Sequence, residues 1–473
     1  MVSFNFVPVQ RDQSWLMPVS MLEWLPEDHL AWFIIDVVNE LDVSGFLAAY
    51  RGDGRGGRAY DPVVMVGILV YAYCVGERSS RRIERKLVED VGFRVVGANQ
   101  HPDHATLARF RADHQDAIAG LFTQVLGLCG KTGLLEGGMV AVDGTKLVGN
   151  ASRDATVTAR GLAERILAEA AQVDAAEDLT DPGEQPRVRM PGRGPDRRVR
   201  LRELLDELDQ EAADHSYEAH LQRRADQETT TGRRMPGPHP VPGSKTHRGR
   251  SQANLTDPDS RLLSTRRGFV QGYNAQAVVN THQVVVAAQA TNKVSDSVVF
   301  HPMMDMALTN LAHAGAPPVS VVLADAGYWA AGNTTLPGVT VLIAPGRAHD
   351  LEQIAATQQD RDRVLTRVET GEIDPGHAAT LLSMTRTRVI QLLRARRQGR
   401  ESLTSVMMAR LTTPDGHSAY QQRKTMIEPV FGQIKHNRGI RSFHRRGLPA
   451  VDSEWKLICT THNLLKIFRK CTR

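Results

Sequence analysis

The chain has 473 residues, of which 41% are hydrophobic and 23% are charged, so it can bury a sizeable core and is not a disordered tail. This length predicts two or three domains. The net charge is +5, and only 10 of the 58 basic residues are lysine. The guanidinium group of arginine can form paired hydrogen bonds with phosphate oxygens and with guanine. A GC-rich genome also enriches arginine, and we prefer that explanation of the high ratio of arginine to lysine.

Cysteine spacing and apolar runs exclude two classes of protein. The four cysteines, at positions 74, 129, 459 and 471, form no pair with metal-ligand or redox spacing, which favours a reducing compartment. The longest apolar run, residues 62–75, is too short to span a bilayer, and the N-terminus lacks the pattern of a signal peptide. We therefore expect a cytoplasmic protein that is neither secreted nor inserted in a membrane.

The first part of the chain is patterned as helices. Apolar residues recur at helical spacing up to about Gly133, with Gly, Pro and Asp between the segments. Ser79 is placed to cap a basic helix, and a second basic stretch at 106–114 contains Arg109 and Arg111. This predicts an all-helical N-terminal DNA-binding domain over residues 1–135. A helical bundle with solvated arginine faces explains the pattern equally well.

From Gly138 onward the pattern changes to short β-strands with helices between them. This predicts an α/β domain over residues 136–473. Asp143 and Asp325 each follow an apolar strand, in AVDGTK and ADAGYW. Two strand-end carboxylates that converge are ligands for Mg²⁺ or Mn²⁺, whereas either one alone is more often a helix cap or a turn residue. Asp296 is a fourth acidic candidate, and we rank it below the main set.

Two segments interrupt the predicted sheet. Residues 156–256 are predicted to form a helical hairpin with mobile basic connectors. Residues 349–405 form a second helical insert, whose sequence resembles a helix-turn-helix. Its second helix would begin at Thr385 and carry Arg386 and Arg388, in a stretch that has six arginines and no acid. The alternative is a short amphipathic hairpin with a solvated arginine face.

The C-terminal segment from Tyr420 is basic, with 12 Lys and Arg against 3 acidic residues, as expected of a surface that binds a polyanion. Glu428 and Lys435 are seven residues apart, which is two helical turns. Pro429 suits the first turn of a helix or else kinks one. A solvated Glu/Lys face is the alternative for this segment taken alone.

These motifs together resemble the bacterial insertion-sequence transposases of the DDE class. The matching text is AVDGTK, NLTDPDS, GFVQGYNAQ, ADAGYW and the segment from Tyr420 that contains EPVFGQIK. The resemblance implies a helical N-terminal domain and a catalytic domain of ribonuclease H-like fold, a mixed sheet flanked by helices. Its catalytic triad would be Asp143, Asp325 and Glu428.

The resemblance also implies cofactors, partners and further site residues. Three carboxylates would hold two ions of Mg²⁺ or Mn²⁺, and the substrates would be element ends and target DNA, bound by a homo-oligomer in the bacterial nucleoid. Tyr420 and Lys435 would contact DNA, and Trp329 would stack on an unpaired base unless it packs in the core. The basic residue of the family signature would be either Arg423 or Lys424. Four residues separate Arg423 from Glu428, whereas three, the usual number in the family, separate Lys424 from Glu428.

Two other functions remain open at this stage. One is a DNA-binding protein without catalysis, either a decayed element or a repurposed repressor. The other is a metal-dependent nuclease that hydrolyses DNA and never joins it.

Overall fold

The computed structural model describes residues 20–48, 50, 59–158, 161, 252–265, 268–345, 351–397 and 403–472, with scattered positions between 206 and 237. The chain divides into two compact units, Met1–Ala117 with Phe468–Arg473, and Ile118–Ile467. This division falls 18 residues before the domain boundary expected at residue 135. The extents of the DNA-binding and catalytic domains stay predictions.

The N-terminal region is helical in the residues that the structure describes, as its apolar spacing predicts. The helices are α1 (Leu30–Glu40), α2 (Ser44–Leu47), α3 (Pro62–Cys74), α4 (Ser80–Glu89), α5 (Val91–Val96), α6 (His104–Asp113) and α7 (Gln115–Lys131). Ser79 is the N-cap residue of α4, as expected, but its hydroxyl forms no capping bond. Glu77 instead accepts the backbone N–H groups of Arg78 and Ser79, each at 2.9 Å.

The second unit contains a mixed six-stranded sheet. Its strands lie in the order β4, β5, β1, β7 and β8. Strand β6 lies on the same side of β5 as β4: β4 pairs with the first half of β5, and β6 pairs with the second half. The strands are β1 (Gly138–Val148), β4 (Arg261–Thr265), β5 (Gly268–Asn280), β6 (Val285–Thr291), β7 (Val319–Ala324) and β8 (Thr340–Ile343). Helix α8 (Phe300–His313) joins β6 to β7. The α/β class is confirmed, with a mixed sheet and flanking helices consistent with a ribonuclease H-like transposase.

Strand β1 lies at the centre of this sheet, antiparallel to β5 and parallel to β7. The expectation that Asp143 ends its strand is wrong, because β1 continues to Val148 along β5. Pairing with β7 does end there, since Val142 opposite Ala324 is the last parallel pair. Asp143 and Asp325 are thus the next residues on two neighbouring strands.

The first insert begins and ends at a small β-ribbon. Strands β2 (Thr156–Thr158) and β3 (Gln252–Asn254) pair antiparallel, close to the insert boundaries expected from sequence. The predicted helical hairpin between them lies outside the described residues, apart from scattered positions.

The second insert is a group of three helices, α9 (Leu351–Glu369), α10 (Pro375–Leu381) and α11 (Arg386–Arg397). Its core includes Leu365 from α9, Ala378 from α10 and Val389 from α11. Leu381 is expected in this apolar patch, but its side chain is 51% exposed because it lies at the outer end of α10.

The C-terminal segment is helical, as expected. It comprises α12 (Leu403–Thr412), α13 (Pro414–Gly432), a π-helical turn (Gln433–Asn437) and α14 (Leu448–Cys471). Pro429 is inside α13, so of the two positions expected for it the first helical turn is excluded. Among the described residues, no helix is long and apolar enough to cross a membrane.

Candidate active site

The two aspartates on the sheet lie where parallel pairing ends. Asp143 Oδ1 accepts the backbone N–H of Gly144 at 2.7 Å. Asp325 Oδ1 accepts the N–H of Gly327 at 2.9 Å, so Asp325 also caps the short 3₁₀ helix that follows β7. Each carboxylate therefore keeps its second oxygen, Oδ2, for other partners.

Burial and charge together disfavour ionisation of Asp143. Burial is the first cause and the Asp325 charge the second, and they raise the pKa of Asp143 to about 6, against the opposing effect of Arg423. The Asp143 side chain is 20% exposed, so solvent screens this repulsion only in part. A pair of this kind favours a proton or a metal cation between its carboxylates.

Helix α13 brings a basic residue to the first aspartate. Arg423 Nη1 lies 3.2 Å from Asp143 Oδ2, and the Arg423 side chain is buried. Tyr420, one turn earlier, is also buried, and burial raises the pKa of its hydroxyl. Lys424 is exposed on another face of the helix. Of the two candidates for the signature base, Arg423 is the one that contacts an aspartate.

Lys435 reaches the same strand from the π-helical turn. Its Nζ donates to the Thr145 hydroxyl and lies 3.3 Å from the carbonyl oxygen of Lys146. Burial lowers the pKa of Lys435, and the Asp143 charge acts in the opposite direction. Arg423 and Lys435 thus contact β1 at positions 143 and 145–146.

Glu428 is not joined to the aspartates. It lies on α13 between Arg423 and Lys435, but its side chain is exposed. In the part of the chain that the structure describes, Glu428 forms no hydrogen bond or ion pair with Asp143 or Asp325. Within the same residues, no group of three or more His, Cys, Asp and Glu side chains is arranged to hold a metal ion.

Asp296, the acidic residue ranked below the triad on sequence grounds, lies close to Asp143 and Asp325. Its Oδ1 accepts from Asn274 Nδ2 at 2.7 Å and Gln276 Nε2 at 2.8 Å, and it pairs with Lys146 Nζ at 3.3 Å. The Asp296 charge also raises the pKa of Asp143. The sequence signal was two polar residues with period 2 in a buried strand, GYNAQ.

Glycines next to the two aspartates allow this close packing. A Cβ added at Gly144 would lie 3.0 Å from Asp296 Oδ1. A Cβ added at Gly327 would lie 3.0 Å from Asp325 Oδ1 and 3.2 Å from Asp296 Oδ2. The Asp296 carboxylate therefore lies against the backbone that follows both aspartates.

The aromatic residues after Asp325 have different environments. Tyr328 is fully buried and its hydroxyl donates to Gln276 Oε1, so it belongs to the core. Trp329 is half-buried. Base stacking by Trp329 stays a prediction.

The arginines proposed for DNA contact are also in different environments. Arg109 is exposed on α6, whereas Arg111 donates to the Arg78 carbonyl at 2.9 Å and to the Ser80 hydroxyl. Arg386 is exposed at the start of α11, and Arg388 is half-buried. Arg109 and Arg386 are therefore more accessible to DNA than Arg111 and Arg388.

Two family profiles match this chain. The family described as "Transposase domain (DUF772)" matches residues 19–113, and "Transposase DDE domain" matches residues 384–468, which include Tyr420, Glu428 and Lys435. No curated protein sequence and no solved structure matches the chain. Together with the paired aspartates on the mixed sheet, these two matches support an insertion-sequence transposase of the DDE class.

Proposed function

We propose that this transposase binds the ends of an insertion sequence and catalyses metal-dependent strand cleavage and strand transfer, by in-line attack on phosphodiesters. The observation that carries this proposal is the position of Asp143 and Asp325, each one residue beyond the last parallel pair, Val142–Ala324. The acidic pair, the buried Arg423 beside it and the matches to transposase families together support nucleotidyl transfer on DNA.

The donor set of the site fits divalent cations. Two half-buried carboxylates that repel each other, one with a pKa of about 6, would be stabilised by a hard cation that displaces the proton. Asp143, Asp325 and Glu428 would hold Mg²⁺ or Mn²⁺, in the two-ion arrangement expected of the class. When bound, such ions supply Lewis-acid stabilisation of the attacking and leaving oxygens.

The protein residues orient the reacting DNA. Arg423 pairs with the Asp143 carboxylate and opposes the rise of its pKa, and Tyr420 packs beside Arg423 on the inner face of α13. Lys435 would bind a phosphate of the element end, and Trp329 would stack on an unpaired base near it. Lys424 would make a peripheral phosphate contact, because its side chain is exposed.

Both chemical steps use the same site. Water first attacks the phosphodiester at the element end and frees a 3′-hydroxyl, and that hydroxyl then attacks a target phosphodiester and displaces a 3′-oxygen. Bonds broken and bonds formed balance in each step, so neither a covalent protein–DNA intermediate nor an external energy source is required. The resemblance to DDE transposases, which act on paired ends, supports a homo-oligomer on DNA.

Exposed arginines would bind DNA away from the site. We assign Arg109 and Arg386 to phosphate or base contacts because both side chains are accessible. Arg111 would support the fold of the N-terminal helices through Arg78 and Ser80, and Arg388 would pack within the insert.

The test is a joining assay with the full chain, a duplex carrying the element end, Mg²⁺ and a target plasmid. We expect cleaved and joined products, and loss of both products in Asp143→Asn, Asp325→Asn and Glu428→Gln with end binding retained. Asp305→Asn, an exposed aspartate on α8, is the matched control and should be fully active. Cleavage by Asp143→Asn at the rate of the original protein would refute the assignment.

A second candidate is a DNA-binding protein without catalysis. The observation behind it is that, among the described residues, no group of three or more His, Cys, Asp and Glu side chains is arranged to hold a metal ion. The same assay separates the candidates, since a non-catalytic protein binds the end and leaves it intact. Cleavage without joined product would instead indicate a nuclease that only hydrolyses DNA.

A further inference from the structure

The insert between β8 and α12 is built as a small helical module with its own core. Leu365 of α9, Ala378 of α10 and Val389 of α11 are each at most 3% exposed, and Leu393 adds to the same cluster. Contacts that cross all three helices fix α10 and α11 relative to each other. The catalytic chemistry described above uses none of these residues.

The connection between α10 and α11 is a tight turn of Leu382–Thr385. Ser383 has φ of +50°, in the left-handed region that lets the chain reverse within this length. The Thr385 hydroxyl then accepts the backbone N–H of Arg388 at 3.3 Å and caps the start of α11. Two short helices joined in this way and packed on a third are the architecture of DNA-reading helix-turn-helix domains.

Helix α11 has two distinct faces. Val389 and Leu393 point into the module core, whereas Arg386, Thr387 and Arg394 are exposed. Gln391 is half-exposed and lies on the same side as Thr387 and Arg394, because residues at spacings of three, four and seven share a helical face. We call this surface, made of Thr387, Gln391 and Arg394, the outer face of α11.

The side chains of the outer face have the chemistry of base recognition. Arginine pairs with guanine and glutamine with adenine in the major groove, and the threonine methyl group packs on thymine methyl groups. No acidic residue occurs between Arg386 and Arg400, so the face is suited to a polyanion.

We propose that α11 reads base pairs of duplex DNA in the major groove through its outer face, so that the catalytic half carries a sequence-reading module of its own. This inference rests on the proposed function, since it takes DNA as the substrate. Thr387, Gln391 and Arg394 specify bases, and Arg386 at the helix start binds a flanking phosphate.

The test uses the full chain and a pool of random-sequence duplexes of about 30 base pairs, selected by repeated binding at fixed salt. The original protein should enrich a short motif. The variant with Thr387→Ala, Gln391→Ala and Arg394→Ala should lose that motif and bind the enriched duplex about 10- to 100-fold more weakly. The control is Arg363→Ala, which removes an exposed arginine of α9 from the same module and should retain the motif.

Two outcomes overturn the inference: enrichment of the same motif by the triple variant, or equal loss of affinity in Arg363→Ala. A joining assay with precut end DNA separates this result from the proposed chemistry. If α11 does not read bases but the proposed chemistry is correct, joined product forms and the enriched motif does not depend on the outer face. If the chemistry is wrong and the module right, the motif depends on the outer face and no product forms.

Discussion

The site has a sheet-borne part and a helix-borne part, and the two are held in different ways. Asp143 and Asp325 are fixed by backbone pairing, since the register Val142–Ala324 leaves them adjacent whatever their side chains do. The helix-borne part depends on which face of α13 each residue occupies. Arg423 falls on the buried face and Glu428 on an exposed one.

This difference shows where the sequence motif determines geometry and where it does not. Parallel pairing of β1 with β7 ends at Val142–Ala324, so the aspartates that come next in each chain segment are brought together by the sheet register alone. Helix residues are placed by periodicity, so Glu428 is the carboxylate whose position depends on α13. The π-helical turn begins at Gln433, after Glu428, and alters the periodicity for Lys435.

Replacing the buried basic residue Arg423 should have the largest effect on joining among the changes that leave the carboxylates intact. Arg423→Ala removes the ion pair at 3.2 Å from Asp143, so we expect joining to fall by about 100-fold or more. The pKa of Asp143 should rise further, which moves the acid limb of the pH–rate profile to higher pH. Lys424→Ala should change joining by less than about threefold.

The pH–rate profile and the joining rate of both variants are the measurements. Equal effects of the two changes would show that the basic role is shared along α13. A large effect of Lys424→Ala alone would assign the signature base to Lys424 and contradict the geometry of the buried face.

Asp143→Asn should stabilise the folded protein while it abolishes catalysis. The pKa of Asp143 is raised to about 6, so the folded chain binds a proton more tightly than the unfolded chain, and folding stability falls as the pH rises from about 4 to about 6. At pH 7 the ionised carboxylate costs up to about 3 kcal/mol, which an uncharged asparagine avoids.

Denaturant unfolding at pH 4 and pH 7, without divalent cations, measures this effect. The gain from Asp143→Asn should appear at pH 7 and vanish near pH 4. Asp305→Asn, on the exposed side of α8, should show no gain at either pH. Lower stability of Asp143→Asn at pH 7 would mean that the pair with Arg423 outweighs burial and the Asp325 charge.

Sequence patterns predicted the strand-borne part of the site better than the rest. The change to β-periodicity at Gly138 correctly placed β1, and the apolar strand expected before Asp325 is β7. The continuation of β1 past Asp143 was missed, because its length is set by pairing with β5, which is distant in sequence. The central place of Asp296 was missed for the same reason, since Asn274 and Gln276 bind it only once β5 and the loop after β6 are packed.

Asp296 is predicted to be a positioning residue of the sheet-borne part. Asp296→Ala removes the acceptor for Asn274, Gln276 and Lys146, which frees the backbone beside Asp143 and Asp325 to move. We expect about a 10-fold loss of joining and a higher Mg²⁺ concentration at half-maximal rate. Asp296→Asn, which retains an acceptor oxygen, should recover part of the activity. Lower stability with an unchanged Mg²⁺ dependence would reduce Asp296 to a structural role.

The smallest effects are expected from replacing Arg109 or Arg111 of α6, and the two changes should affect different properties. Arg109→Ala should weaken DNA binding by about threefold to tenfold and reduce its salt dependence by about one counterion, because the side chain is exposed and available to a phosphate. Arg111→Ala removes the bonds to Arg78 and Ser80, so it should lower the free energy of unfolding by about 1–2 kcal/mol, with little change in the salt dependence. Filter binding across a salt series and denaturant unfolding measure the two quantities. The reverse result, in which Arg111→Ala changes the salt slope and Arg109→Ala changes stability, would mean that these helices rearrange when DNA binds.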